Sequence, residues 1–218
     1  RPGDFLKLEE TGSFDLVIGN PPFSKSSSAA DLKAYRSQSG NHRAQNTAAF
    51  FLEKSIEIGK HVALVMPKFL LNTPEFEHTR DKAMRSRIDA IIDFGEKGFG
   101  GVLVETIAVS LTPGAKAGKT TVTSITERRT YEKSQSYITD KTFPYWLIYR
   151  DLDFDSICKR MKFDVFQVFR DRQVTTKLLG ASGDIRVIKS RNISDDGLEI
   201  LTLKDYDSYI SRENASKL

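Results

Sequence analysis

The sequence predicts an α/β fold, with an open sheet carrying helices on its faces, followed by a smaller mixed α+β region. Three observations carry this expectation. Over residues 1–112, short apolar runs rich in Val and Ile alternate with longer stretches of helical spacing. Gly, Pro and Asn punctuate the boundaries between them. After Pro113 the texture changes to a Gly- and Lys-rich linker, β-branched and aromatic clusters, and polar stretches.

Taken in order, Gly3-Asp4-Phe5-Leu6 reads as a strand end or turn. Residues 14–18 are continuously apolar apart from Asp15, and lie between Gly12-Ser13 and Gly19, as a buried strand does. Residues 24–45 are polar and predict a loop or a short helix around 29–36. A helix is expected over 46–58, capped by Asn46 or Thr47 and ended by Gly59. Residues 61–66 form a second buried strand, stopped by Pro67. Thr73 and Pro74 are the N-cap and first position of a helix running to about Arg85. Strands follow at 88–94 and 105–111. Beyond the 114–119 linker, a strand is expected at 120–125, a helix at 154–161, and short strands at 185–188 and 198–203. The expected divisions are 1–112, an extension at 113–164, and a further domain from 165 to 218.

Composition narrows the class. At 39% hydrophobic and 28% charged residues the chain is globular in character. No apolar run approaches the roughly 20 residues that cross a bilayer. Its one cysteine, Cys158, excludes an internal disulfide framework, and His42, His61 and His78 are scattered without metal-ligand spacing. The net charge of +4 is uneven: residues 1–112 balance 14 basic against 14 acidic groups, whereas 159–191 hold nine basic and three acidic. A local excess of this kind suits phosphate contacts.

The run Asp15-Leu-Val-Ile-Gly-Asn-Pro-Pro-Phe23 carries the chemistry. Proline fixes φ and lacks an N–H, and it pushes the preceding residue out of the helical region. Asn20-Pro21-Pro22 is therefore a rigid, non-helical turn at a strand's end. It presents an amide, a free carbonyl and the ring of Phe23. Such a turn fits an exocyclic amino group on a flat heterocycle: the two oxygens accept its hydrogens and the ring stacks on its face. Open α/β sheets bind ligands beyond the carboxyl ends of their strands, where both Asn20 and Pro67 are expected.

Phe14-Asp-Leu-Val-Ile-Gly-Asn-Pro-Pro-Phe23 resembles the catalytic motif of amino-group methyltransferases that use S-adenosylmethionine, closest to the gamma class of adenine-N6 DNA methyltransferases in restriction–modification systems. The resemblance covers residues 1–112. It implies part of a Rossmann-like, S-adenosylmethionine-dependent methyltransferase sheet, followed by the start of a mixed α+β target-recognition domain. It also implies that Asn20 and Pro21 hold a flipped-out adenine by its N6 amino group, with Pro22 and Phe23 completing the motif and Phe23 stacking on the base. Phe99, in a glycine-rich run, would contact the base from its other face. Asp4 and Phe5, sixteen residues upstream of Asn20, resemble the family's pair for the cofactor's adenine; Asn46 and Lys68 are weaker candidates for ligand contact. The family's glycine-rich cofactor loop and the acidic residue that follows are expected before Arg1, so this chain alone is expected to bind the cofactor poorly and to need that missing part or a partner subunit. No metal is implied, and a cytoplasmic location is.

The C-terminal segments Phe169–Lys177 and Gly183–Asn192 resemble specificity segments of restriction–modification enzymes. Arg170, Arg172, Lys177, Arg186, Lys189 and Arg191 are candidate contacts to double-stranded DNA. Two other readings remain open at this point. One is the glutamine-N5 methyltransferase of release factors, which shares an Asn-Pro-Pro-Tyr motif. The other is a non-catalytic DNA-recognition or assembly module that needs a partner chain.

Overall fold

The structure is a computed structural model that describes residues 4–8, 12–25, 28–95, 104–163, 165 and 174–217. It divides into two compact units, Arg1–Arg160 and Met161–Leu218. In the first unit, strands β1 (Phe14–Gly19), β2 (Gly59–Pro67), β3 (Arg87–Gly95), β4 (Thr106–Thr112), β5 (Lys119–Ser124) and β6 (Arg129–Ser134) form one mixed sheet in the order β1-β2-β4-β3-β5-β6. β1 runs parallel to β2 and β3 to β5, while β4 is antiparallel to both its neighbours. The sheet thus continues past residue 112 into β5 and β6, which belong to the same compact unit as Asn20–Phe23.

One face of the sheet is clothed. Helix α2 (Thr47–Ile58) packs on β1 and β2, and α1 (Ala29–Ser39) and α3 (Glu77–Ala83) flank it. Between these layers lie Val62, Leu64, Met66, Ile88, Ile91, Ile107, Val109, Leu111 and Val122 from the strands, with Ala48, Ala49 and Leu52 from α2. The strand residues follow the two-residue period, and cross-strand registers such as Val62↔Leu111 and Ile91↔Val109 keep them on one side. Gly59 sits where α2 passes directly into β2. A Cβ there would lie 2.9 Å from Val17 Cγ2 and 3.0 Å from the Ser55 carbonyl, so only glycine lets the helix end this close to the sheet.

On the other face the edge strand β1 is bare, while the outward residues of the inner strands are half-buried. Leu16 and Ile18 on the outermost strand are 57% and 74% exposed, and Phe14 is exposed beside them. β1 was expected to be buried; its position at the sheet's edge, with helices on one side only, is the physical reason that it is not. Other expected boundaries also shift. Thr73 does not cap with its side chain, because its hydroxyl donates to Phe69 O (2.9 Å). Pro74–Phe76 is then a 3-10 turn, and α3 begins only at Glu77.

After β6, the short α4 (Gln135–Ile138) is tied to β3 through Gln135. Its carbonyl oxygen accepts from Ile88 N (2.9 Å), and its amide donates to Ser86 O (2.9 Å). An irregular stretch then leads to α5 (Leu152–Arg160). The second unit holds β7 (Ile185–Val187) paired antiparallel with β8 (Ser208–Ile210), and ends in α6 (Arg212–Ala215). Residues 198–203 do not form the expected strand and contribute only the isolated bridge Ile193↔Ile200. No described helix is long and apolar enough to cross a membrane.

Candidate functional site

Four chain segments converge on one rim of the sheet. β1 ends at Gly19 and hands over to Asn20, and β2 ends at Pro67 and hands over to Lys68. The antiparallel β4 enters from the same rim after Glu105, and β3 leaves there at Gly95. Lys68 N donates to Glu105 O (2.9 Å), which closes the rim between β2 and β4.

The Asn20–Phe23 turn is held by the start of α2. Thr47 Oγ1 donates to Pro22 O (2.7 Å), with Ser24 O also 3.0 Å away, and Thr47 N donates to Ser24 O (3.0 Å). Asn46 Nδ2 donates to Phe23 O (2.9 Å), while Asn46 Oδ1 caps the helix by accepting from Ala48 N (3.0 Å). Glu75 Oε1 accepts from both Gln45 N (2.7 Å) and Asn46 N (2.6 Å) and fixes the approach to that cap. The carbonyls of Pro22, Phe23 and Ser24 are therefore all taken. Among the described residues, no hydrogen bond reaches the Asn20 side chain or the Pro21 carbonyl. Asn20 is exposed, Pro21 buried, and Phe23 half-buried against the core. The turn thus presents two unengaged oxygens from a backbone that is otherwise tied down.

Upstream, Asp4 caps a 3-10 turn over Phe5–Lys7 by accepting from Leu6 N (3.0 Å). Its other oxygen accepts from Tyr35 OH (2.7 Å). Burial pushes the carboxyl up, but the bonds from Tyr35 and Leu6 outweigh it and hold Asp4 below the usual aspartate value. Tyr35 is pushed up to about 12 by burial and by the same bond. The Phe5 ring stacks on Phe51 (5.1 Å, 20°), and Lys54 lies 5.4 Å from its centroid. The pair fits a heterocycle in part: an ionised, partly exposed carboxylate lies beside a fixed ring, although each Asp4 oxygen already has one partner.

At the rim's centre, Asp93 is buried and fully engaged. Its Oδ1 accepts from Gly95 N (2.9 Å), and its Oδ2 accepts from Tyr149 OH (2.5 Å) and lies 3.1 Å from Lys68 Nζ. Lys68 also reaches Glu105 (3.2 Å). Burial draws the Lys68 ammonium down, but the two carboxylates more than offset this and keep it charged. Burial and the bond to Asp93 hold the Tyr149 phenol above its ordinary value. Gly95 has φ 61°, and a Cβ there would lie 2.8 Å from Thr126 Cγ2, so the chain leaves β3 through a position only glycine fills. Asp93 and Tyr149 were not singled out in the sequence. Thr47 carried a local signal, as a cap candidate.

Beside this network opens a cleft of about 880 Å³, bounded by Lys68, Phe69, Glu105, Tyr145, Trp146 and Tyr149 among others. Among the described residues, the buried Trp146 indole N–H has no acceptor. Among the described residues no group of His, Cys, Asp and Glu side chains has the arrangement of a metal site.

Phe99, Arg170 and Arg172 lie outside the described residues. In the second unit, Lys177 and Arg191 are exposed. Arg186 instead bonds Asp207 (2.9 Å) and Leu201 O (2.5 Å). Lys189 donates to Tyr206 O and to Ser208 Oγ (3.0 Å) and sits 3.8 Å over the Tyr206 ring, where Arg191 also stacks at 4.7 Å. Two of the basic candidates are therefore committed to internal structure.

Residues 2–99 match the model of the Eco57I restriction-modification methylase family. No curated protein matches the chain. The chain is similar in structure to the type IIG restriction endonuclease BpuSI (16% identity, TM-score 0.52), covering 66% of this chain and 22% of that one. It is also similar to a modification subunit of a putative type I restriction enzyme from Vibrio vulnificus YJ016 (13%, 0.49), covering 61% and 36%. A third similar structure is a putative class I S-adenosylmethionine-dependent methyltransferase from Listeria monocytogenes (16%, 0.44), covering 54% and 39%. The chain thus spans well under half the length of each. The family match over residues 2–99 is to restriction-modification methylases, and the sheet with its helices shares its fold with part of BpuSI.

Proposed function

From the match of residues 2–99 to the Eco57I restriction-modification methylases, we propose that this chain carries the base-side half of an adenine-N6 DNA methyltransferase of the gamma class. One observation supports this above the others. Among the described residues, the Pro21 carbonyl is the one of the four from Pro21 to Ser24 that accepts no hydrogen bond, and none reaches the side chain of the preceding Asn20. An amino group has two hydrogens, and the turn offers two acceptors held by a rigid backbone.

Adenine N6 is a poor nucleophile because its lone pair is delocalised into the ring. Asn20 Oδ1 and the Pro21 carbonyl accept its two hydrogens and favour a more tetrahedral nitrogen with a localised lone pair. This is catalysis by positioning and by fixed dipoles, without a covalent enzyme intermediate. A base inside a duplex cannot reach the turn, so the adenine is extruded first, with Phe23 as one stacking face. S-adenosylmethionine supplies the electrophilic methyl group, and Asp4 and Phe5 are the residues of this chain assigned to its adenine. Lys177 and Arg191, exposed in the second unit, remain candidate phosphate contacts.

Asn20→Ala in the enzyme that contains this chain is expected to lower N6-methyladenine formation by roughly a hundredfold or more. S-adenosylmethionine affinity should stay within about twofold, since Asn20 acts on the base side. Methyl transfer to adenine at near the wild-type rate would refute the mechanism. Methylated glutamine instead of methylated adenine would redirect it to a protein substrate.

A further inference from the structure

The cleft at the centre of the rim takes no part in the reaction proposed above. We infer that it receives a second unstacked nucleobase, from the same nucleic acid as the base held at Asn20. The inference rests on the DNA reading of the Asn20 turn. At about 880 Å³ the space is of the size that holds small organic ligands. Its lining includes the rings of Phe69, Tyr145, Trp146 and Tyr149, of which Tyr145 is 42% and Tyr149 38% exposed. Every base has a π face, and aromatic platforms of this kind hold bases without regard to sequence.

The polar groups at the mouth favour a base edge over a phosphate. The Lys68 ammonium has three N–H donors, of which Asp93 and Glu105 take two. Glu105 is about half exposed and engages Lys68 through one oxygen. Among the described residues one ammonium donor and one carboxylate oxygen are therefore left over, and together they suit a base edge that sets an acceptor beside an N–H donor. Arg150 is neutralised by Asp140 (2.7 Å) and Asp155 (2.6 Å), so the lining offers no spare positive charge to a phosphate. The walls are fixed before any ligand arrives. Trp146 N donates to Leu71 O (2.9 Å), Leu147 N to Ile138 O (2.9 Å), and Tyr149 OH to Asp93. Gly19 pairs with Leu64, so Lys68 stands on the neighbouring strand, about 5 Å to the side, and three residues, roughly 10 Å, beyond the level of Asn20 on the same rim.

Trp146 is the only tryptophan in the sequence, so its emission reports on this cleft alone. Titrating the 218-residue chain with a short oligo(dA) is expected to quench that emission, and an abasic oligomer of the same length is expected to leave it unchanged. Tyr145→Ala should weaken the response roughly tenfold, whereas Tyr145→Phe, which keeps the ring, should not. Three results overturn the inference: equal responses to oligo(dA) and the abasic oligomer, wild-type affinity in a folded Tyr145→Ala, or loss of the response in Asn20→Ala. Retention of the response in Asn20→Ala supports a separate cleft whether or not that variant still methylates, so the two readings fail independently.

Discussion

The Thr47 hydroxyl, with its backbone N–H, joins the start of α2 to the Asn20–Phe23 turn. Replacing Thr47 by valine keeps the shape and removes the donor, leaving Pro22 O, and its partial share of Ser24 O, unsatisfied. The expected cost is about 1–3 kcal/mol in chemical denaturation. Because the turn then loosens, kcat should fall roughly tenfold at little change in KM. Thr47→Ser should restore most of both. Unchanged turnover in a folded Thr47→Val would show that the turn is positioned without this strap. The turn itself was legible in the sequence, because two prolines after a glycine-ended strand leave the backbone few options. Its strap was not, because Thr47 lies 25 residues from Pro22 and only folding brings them together. Asn46 was readable as a cap, but nothing local announced that its amide nitrogen would also hold Phe23 O.

At the scale of elements, the informative stretch is the irregular one between α4 and α5. It has no ladder of its own and is pinned by side chains. Arg80 donates to Leu70 O, Thr73 O and Pro144 O. Arg150 bridges Asp140 and Asp155 and packs on the rings of Tyr137 (4.4 Å) and Phe143 (5.0 Å). The bond from Arg150, with two more from Thr142, holds Asp140 at about 2 against an ordinary 3.8. A carboxyl lowered on folding contributes stability that is complete above its unfolded value and lost as pH falls through its folded one. The clamp therefore weakens between about pH 4 and pH 2. Arg150→Met should flatten this part of the melting-temperature profile relative to wild type, read by thermal denaturation followed at Trp146. Identical slopes in the two proteins would remove the clamp from the account of acid stability. Strand and helix order was legible here because Gly, Pro and periodicity are local signals. Residues 198–203 were misjudged because alternation alone cannot supply a partner strand, and β7 pairs with Ser208–Ile210 instead.

At the scale of the molecule, the sheet is clothed on one face only. A continuous apolar run such as 14–18 reads as buried on both sides, and no residue in it says that one side stays open. Exposed Leu16 and Ile18 stand on an edge strand, an arrangement that promotes edge-to-edge pairing. The chain should accordingly self-associate at micromolar concentrations, and Ile18→Lys should shift it toward monomer in analytical ultracentrifugation. A monomeric wild-type chain would mean that the bare edge strand does not drive association.

The rim arrangement has one more consequence. Asn20, Lys68, Glu105 and Gly95 all stand at the same end of their strands, so β4 leaves the chemistry behind as it runs to Thr112. The turn at Pro113–Gly118 lies a full strand away, about 20 Å for seven residues. A fluorophore, an affinity tag or an inserted domain attached at that turn leaves the reactive rim untouched.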